Sequence, residues 1–314
     1  MQSMNGTPQP KRPGSRPGFG RKTQGRSALA TPAWIIIIAT LAVLAVLTAV
    51  VAFALRGPGS SNSDTTGTGH QEFGHVHGIA VDPGSGALHV ATHVGLFRIG
   101  GPRTAVRVSR DDLDLMGFTV VGPGHFLASG HSTHGPANVG LIESTDGGVT
   151  WQEKSLSGTA DFHGLQVAHG SVYGYNSADA AFMVSADQRD WEHRSRTAIG
   201  AFAVSPTDDG TVLAVGRDGL QRSTDGGRSW QLVPDAPAVG LLTWDNTGVW
   251  TVAPDGAVWS SSDGGGQWQR RGEVPGEPHS FAVQNSALFA ALAGDRVVGS
   301  TDGGATWTDR YAPE

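Results

Sequence analysis

The sequence predicts an all-β fold, a six-bladed β-propeller of four-stranded antiparallel blades, preceded by one transmembrane helix. The octapeptide Ser144-Thr145-Asp146-Gly147-Gly148-Val149-Thr150-Trp151 returns at Ser223 (STDGGRSW), Ser261 (SSDGGGQW) and Ser300 (STDGGATW). The starts lie 79, 38 and 39 residues apart, which places a missing copy near residue 183. Ser185-Ala186-Asp187-Gln188-Arg189-Asp190-Trp191 stands there, one residue short and without its glycines. A fixed period of about 40 residues marks a repeat architecture, each repeat being one supersecondary unit. Between the boxes run short segments rich in Val, Ala, Leu and Phe, cut by Gly, Asp and Pro turns.

The chain begins with a stretch unlike the rest. Residues 1–32 hold Lys11, Arg12, Arg16, Arg21, Lys22 and Arg26, no acid, and much Gly, Pro, Ser and Gln. That composition predicts a disordered basic tail. Residues 33–55 carry no charge over 23 positions, including Ile35-Ile36-Ile37-Ile38. At 1.5 Å per residue they span a hydrocarbon core of about 30 Å. Basic residues ahead of the span predict a cytoplasmic N-terminus and a propeller outside a single-pass cell-membrane anchor. A cleaved signal peptide competes, because Ala52-Phe53-Ala54 has the small-x-small form of a cleavage site. The long basic region and long apolar core favour an uncleaved anchor. A flexible Gly/Ser/Thr linker, 56–74, then leads to the propeller, 75–314.

Six opening strands align: HGIAVDP from His77, MGFTVVG from Met116, FHGLQVA from Phe162, GAFAVSP from Gly200, VGLLTWD from Val239 and HSFAVQN from His279. Their spacings are 39, 46, 38, 39 and 40 residues, giving six units of four strands. Blade one has lost its box, with Arg98-Ile99-Gly100-Gly101 in its place. The last outer strand, from Thr306 to about Arg310, comes from the C-terminus, so the ring is expected to close without N-terminal strand exchange.

Each box reads as a tight turn between two strands. Gly-Gly supplies positive φ, and the Asp carboxylate and Ser or Thr hydroxyls bond to backbone groups within the turn. The Trp opens the next strand with a large apolar face. The structural positions are Asp146 and Trp151, Asp187 and Trp191, Asp225 and Trp230, Asp263 and Trp268, and Asp302 and Trp307. The pattern S-x-D-G-G-x-T-W resembles the Asp-box, or BNR, repeat of sialidase-like β-propellers, a family whose membrane-anchored bacterial members often carry the name glycosyl hydrolase or exo-alpha-sialidase. The resemblance implies a box between the third and fourth strands, on the face away from the active site. It covers roughly residues 75–314 and speaks to fold more than to function.

Charge and composition exclude several partners. Six of the 22 basic residues precede the apolar run and Arg56 ends its flank, so 15 remain against all 28 acids, a balance of −13 for residues 57–314. Nucleic acid is therefore not an expected partner. The absence of cysteine removes disulfides, thiolate metal sites and a lipoprotein anchor.

A sialidase reading meets obstacles. Such enzymes use three arginines for the sugar carboxylate, a Tyr nucleophile beside a Glu, and an Asp acid/base. Phe97-Arg98-Ile99 echoes the family's Phe-Arg-Ile-Pro motif, yet Arg98 falls in register with Arg222 as an ordinary third-strand residue. Of the three tyrosines, Tyr173 and Tyr175 belong to a second strand of blade three and Tyr311 to the C-terminal tail. Trp244, Trp250 and Trp259, the tryptophans outside boxes and membrane segment, fall inside strands as expected core.

The histidines are the unusual feature. Ten of twelve lie between His70 and His169. By topology His75, His77, Met116, Asp161, His163 and His279 sit at or before a first strand, and His93, His131 and His134 in second-to-third loops. All nine therefore face the end opposite the boxes. His75 and His77, two residues apart in extended chain, point the same way. Imidazoles fit copper, zinc or nickel, and the Met116 thioether tilts the choice towards copper. Expected ligands are His75, His77, His93 and His163, followed by His131, His134 and Met116. The bland reading is that these residues cap loops and line a wet channel. Three functions stay open: a non-catalytic binding module holding copper, zinc or a protein partner; a sialidase-like glycoside hydrolase using Asp161; and a protein-assembly scaffold resembling the propellers that assist photosystem assembly. For the enzyme reading, Asp218, Asp255 and Asp295 are further acids on the same face, each also fitting a plain turn.

Overall fold

The computed structural model describes residues 73–313, which form strands, tight turns and short loops. The expected tail, membrane span and the linker up to residue 72 lie outside the described residues. Among the described residues no helix is long and apolar enough to cross a membrane.

Six sheets of four antiparallel strands, each in sequence order, make a six-bladed propeller. Blade one holds β1 (Val76–Val81), β2 (Leu88–Thr92), β3 (Gly95–Gly101) and β4 (Thr104–Arg107); blade two holds β5 (Leu113–Gly122), β6 (His125–Ser132), β7 (Leu141–Ser144) and β8 (Gln152–Ser155). Blade three comprises β9 (Phe162–Ala168), β10 (Ser171–Asn176), β11 (Ala181–Ser185) and β12 (Glu192–Arg196). Blade four comprises β13 (Ala201–Val204), β14 (Val212–Gly216), β15 (Gly219–Ser223) and β16 (Gln231–Leu232). Blade five runs through β17 (Leu241–Asp245), β18 (Gly248–Val252), β19 (Ala257–Ser261) and β20 (Gln269–Glu273). Blade six runs through β21 (Pro278–Gln284), β22 (Ala287–Leu292), β23 (Arg296–Ser300) and β24 (Thr308–Tyr311). No strand of blade one enters the sheet of blade six, so the ring closes without strand exchange, as expected.

The core is distributed between blades. Each of six apolar clusters straddles one junction: Leu96 of blade one meets Phe126 and Leu115 of blade two, and Phe182 of blade three meets Val204 and Val212 of blade four. Flat apolar faces stacked side by side are how a propeller removes area from water without one central core.

The boxes hold these faces at a fixed pitch. In blade two Ser144 Oγ donates to Asp146 Oδ1 at 2.8 Å, and Gly148 N donates to Ser144 Oγ at 2.8 Å. Asp146 also accepts from Val149 N, Thr150 N and Thr150 Oγ1. These donors, Thr150 foremost, draw the Asp146 carboxyl down to about 2. Blade four repeats the pattern with Ser223, Asp225, Arg228 and Ser229. The worn copy works as well: Asp187 accepts from Arg189 N and Asp190 N, and Gln188 adopts the positive φ of 65° that a glycine takes elsewhere.

Box side chains also tie neighbouring blades. Trp191 Nε1 donates to Ser155 Oγ of blade two, and Trp230 Nε1 to Ser195 Oγ of blade three. Arg194 of blade three donates to the Gly226 carbonyl at 2.7 Å, and Arg222 of blade four to that of Gly264.

Gly227 combines a φ of +92° with a position where a Cβ would run into the Phe182 ring. Gly227→Ala is expected to lower unfolding free energy by about 2 kcal/mol or more, from overpacking plus left-handed strain. Asp225→Ala, which strips the acceptor from four donors, Ser223 Oγ, Arg228 N, Ser229 N and Ser229 Oγ, is also expected to lower stability. Denaturant unfolding of the two variants checks both.

Candidate functional site

The first strands of the blades surround an axial cavity of about 640 Å³. Its walls mix aromatic side chains, Phe118, Phe202, Trp244 and Phe281 among them, with polar ones such as Thr119, Gln166, Thr243 and Gln284, and its rim carries His75, His77, Met116, His163 and His279. Among the described residues no Arg, Lys, Asp or Glu lines it.

β-Bulges aim the rim residues. The pairing of β1 with β2 slips between Val76 and Gly78, making His77 an extra residue. The same irregularity falls at Met116, between Leu115 and Gly117, and at His279, between Pro278 and Ser280. On β9 the partners Tyr175↔Gly164 and Asn176↔Phe162 leave out His163. An extra residue bends its strand and re-aims its own side chain, which is why bulges recur at binding sites. In blade two the close approach needs Gly117, where a Cβ would meet the Phe162 carbonyl of blade three. By contrast, β13 and β17 pair with their neighbours without a slip.

Two His/His/Asp groups stand on this rim. In each, every residue offers one ligand atom within 4.8 Å of the others: His77, His93 and Asp114 in the first, His131, Asp161 and His163 in the second. Each group bridges two blades. His77 and His93 belong to blade one and Asp114 to β5 of blade two; His131 lies near the end of β6, whereas Asp161 and His163 belong to blade three. The groups adjoin, because Asp114 and His131 are direct cross-strand partners.

In the first group Asp114 Oδ1 lies 2.9 Å from His93 Nδ1 and 3.8 Å from His77 Nε2. His77 Nε2 and His93 Nδ1 are 3.4 Å apart. Burial lowers the His77 pKa to about 4, helped by the neighbouring His93 imidazole and only partly offset by Asp114. The pKa of His75 is also lowered, by burial first and then by His279 and His93.

In the second group Asp161 is 7% exposed. Its Oδ2 accepts from Ser177 Oγ at 2.6 Å and faces His163 Nε2 at 2.9 Å, while Oδ1 lies 3.6 Å from His131 Nε2. Burial opposes its ionisation, but the bonds from His163 and Ser177 outweigh it, so its pKa is lowered. His131 Nδ1 donates to the Ala137 carbonyl at 3.3 Å, leaving Nε2 turned to the carboxylate. Such an outer bond sets the tautomer a metal ligand needs.

The donor chemistry fits a transition-metal ion. Among the described residues, Asp114 Oδ1 and Asp161 Oδ1 are carboxylate oxygens closed to solvent with imidazole nitrogens beside them, His93 Nδ1 at 2.9 Å and His131 Nε2 at 3.6 Å. A buried carboxylate is costly unless it is paired, and a cation between it and two imidazoles would satisfy it. Two imidazoles and a carboxylate suit Zn²⁺, Cu²⁺ or Ni²⁺.

Of the expected ligands, the structure brings together His75, His77 and His93, and separately His131 and His163, with Asp161 beside them. Met116 lines the cavity, outside both groups. His134 is exposed, 3.9 Å from Asp112, and belongs to neither. Asp114 escaped sequence reading, because blade two was taken to open at Met116 whereas β5 opens at Leu113. Its signal was the spacing Asp114-x-Met116, the same i, i+2 relation as Asp161 to His163.

Three further histidines take ordinary roles. His89 is buried against Phe126, His125 pairs with Glu143 at 2.8 Å, and His169 bonds the Ser205 carbonyl at 2.7 Å. Arg98 is exposed on β3, Tyr173 and Tyr311 are buried, and Tyr175 lines the cavity. Ala257 N donates to Asp255, as a turn residue requires.

No family model matches the chain, and no curated protein matches it. Among solved structures it is similar to the GH74 xyloglucanase from Xanthomonas campestris, with TM-score 0.51 and 18% identity over 75% of this chain and 45% of that one. It is also similar to a chain of the nidogen/laminin complex, with TM-score 0.56 and 13% identity over 72% of this chain and 93% of that one. The chain thus spans less than half the length of the xyloglucanase. At these identities the likeness is one of fold.

The lowered His77 pKa has a measurable consequence. The unfolded chain takes up that proton near 6.5 and the folded protein only near 4, so stability from this group is complete above pH 6.5 and declines as pH falls towards 4. Denaturant unfolding of the metal-free protein at stepped pH should show the decline, and His77→Gln should reduce it.

Proposed function

We propose that the protein is a membrane-anchored, outward-facing propeller of the Asp-box kind that acts as a binding module, holding a transition-metal ion, zinc or copper, on its His/Asp rim. The observation that carries this reading is the pair of His/His/Asp groups, in each of which a carboxylate with one oxygen closed to solvent stands beside two imidazoles. His77 and His93 with Asp114 form one centre; His131 and His163 with Asp161 form the other.

The glycosidase alternative needs one carboxyl group held protonated as an acid. Asp161 is held the opposite way, ionised by Ser177 and His163, which suits a ligand. The cavity walls also offer no arginine for an acidic sugar. A scaffold role would place a protein partner on the same rim, and copper or zinc would then shape the surface that partner meets.

Metal content by mass spectrometry and titration calorimetry on the purified protein test the reading. Asp114→Asn and Asp161→Asn are each expected to weaken one of two Zn²⁺ or Cu²⁺ binding events by about tenfold or more. Protein that takes up neither ion at micromolar concentration would sink the proposal.

The anchor rests on the 23 uncharged residues 33–55 behind six basic ones. Full-length protein should stay with membranes through carbonate extraction, and protease added outside intact cells should reach the propeller. Release into the supernatant would count against an uncleaved anchor.

A further inference from the structure

His75 and His279 lie outside the two groups, yet they are not apart from them. The His75 ring centroid is 4.9 Å from that of His77, 5.8 Å from His93 and 4.6 Å from His279; His77 and His93 are 4.5 Å apart. With Zn–N near 2.0 Å the ring centre lies about 3.2 Å from the ion, so imidazoles sharing a tetrahedral ion stand about 5 Å apart. The three spacings among His75, His77 and His93 bracket that distance. Asp114 supplies a fourth donor, which completes a three-imidazole, one-carboxylate set.

The place of this set in the ring gives it a second meaning. Blade one is built only from the first strands of the propeller and blade six only from the last, so nothing continues through their junction. The seam is held by packing, with Phe73 between Phe97 (4.9 Å) and Tyr311 (5.2 Å), and by polar ties. Phe73 N donates to Asp295 Oδ2 and Ala312 N to the Pro102 carbonyl, each at 2.9 Å. With no cysteine in the chain, no disulfide reinforces it. His75 follows Phe73 by two residues, and His279 meets it from β21 on the other side of the seam.

We propose that an ion bound by His75, His77, His93 and Asp114 is a clasp on ring closure, fixing His75 against His279 across the junction of blades one and six. His279 is a positioning residue: it packs on a ligand from the neighbouring blade and transmits the ion's hold to the seam. This inference rests on the metal-binding reading above.

Hydrogen exchange of the full-length protein in detergent, with Zn²⁺ or with EDTA, tests it beside calorimetry. In the wild type, saturating Zn²⁺ should slow exchange at least tenfold in β1, β21 and the segment around Phe73. His75→Ala should weaken Zn²⁺ binding by about tenfold or more, since it removes a ligand. His279→Ala and the milder His279→Gln, compared at saturation, should bind the ion yet lose most of the added protection at the seam. Seam exchange unchanged by bound Zn²⁺, or protection in both His279 variants equal to wild type, overturns the clasp while leaving metal binding intact. No heat of Zn²⁺ binding in the wild type overturns both, and calorimetry alone reports that case.

Discussion

A carboxylate that accepts several hydrogen bonds at once sets the geometry of this molecule. Asp146, Asp225, Asp263 and Asp302 each gather a serine hydroxyl and backbone amides of their own turn. A turn fixed this tightly delivers the fourth strand at one angle to the third, and the Trp behind it falls into the junction with the preceding blade. Arg194 and Arg222 then grip the next turn from outside. Because the turn is rigid, the opposite loops are free to differ in length and chemistry, as binding loops on a rigid scaffold commonly do. One of the longer ones, between β6 and β7, carries His134 and supports His131.

The rim is an electrostatic arrangement as much as a geometric one. Imidazoles crowded beside one another resist protonation, and burial adds to that resistance at His77 and His75. Neutral imidazole is the form that binds a metal. Asp161 is held in the complementary state, because its histidine and serine partners keep it charged inside the fold. These protonation states, like the spacing, would suit a bound cation.

Much of this was legible in the sequence, and the parts that were not share a cause. The boxes gave the period, the period gave six blades, and strand order then told which end each loop faces. His75, His77 and His93 were placed together by that reasoning, and so were Asp161 and His163. Asp114 was missed because its blade appeared to open two residues later, at Met116; a bulge inside β5 disguised the strand's true start. The approach of His279 to His75 was equally hidden, since it depends on how the first and sixth blades meet. Repeat arithmetic counts units within a chain and does not measure the gap at which the circle is joined.

The bulges at His77, Met116, His163 and His279 carry a consequence for how such a rim can change. Each extra residue has no cross-strand partner and so stands outside the pairs that set the blade's apolar register, such as Ile79↔Val90 and Phe281↔Ala290, even where buried Val76, Leu115 or Phe162 precedes it. The alternation that buries one face of a strand is carried by the paired residues. Side chains can therefore be exchanged at these positions without turning a core side chain outward. The propeller separates the part that must remain constant from the part that chooses a ligand, and the dividing line is one unpaired residue wide.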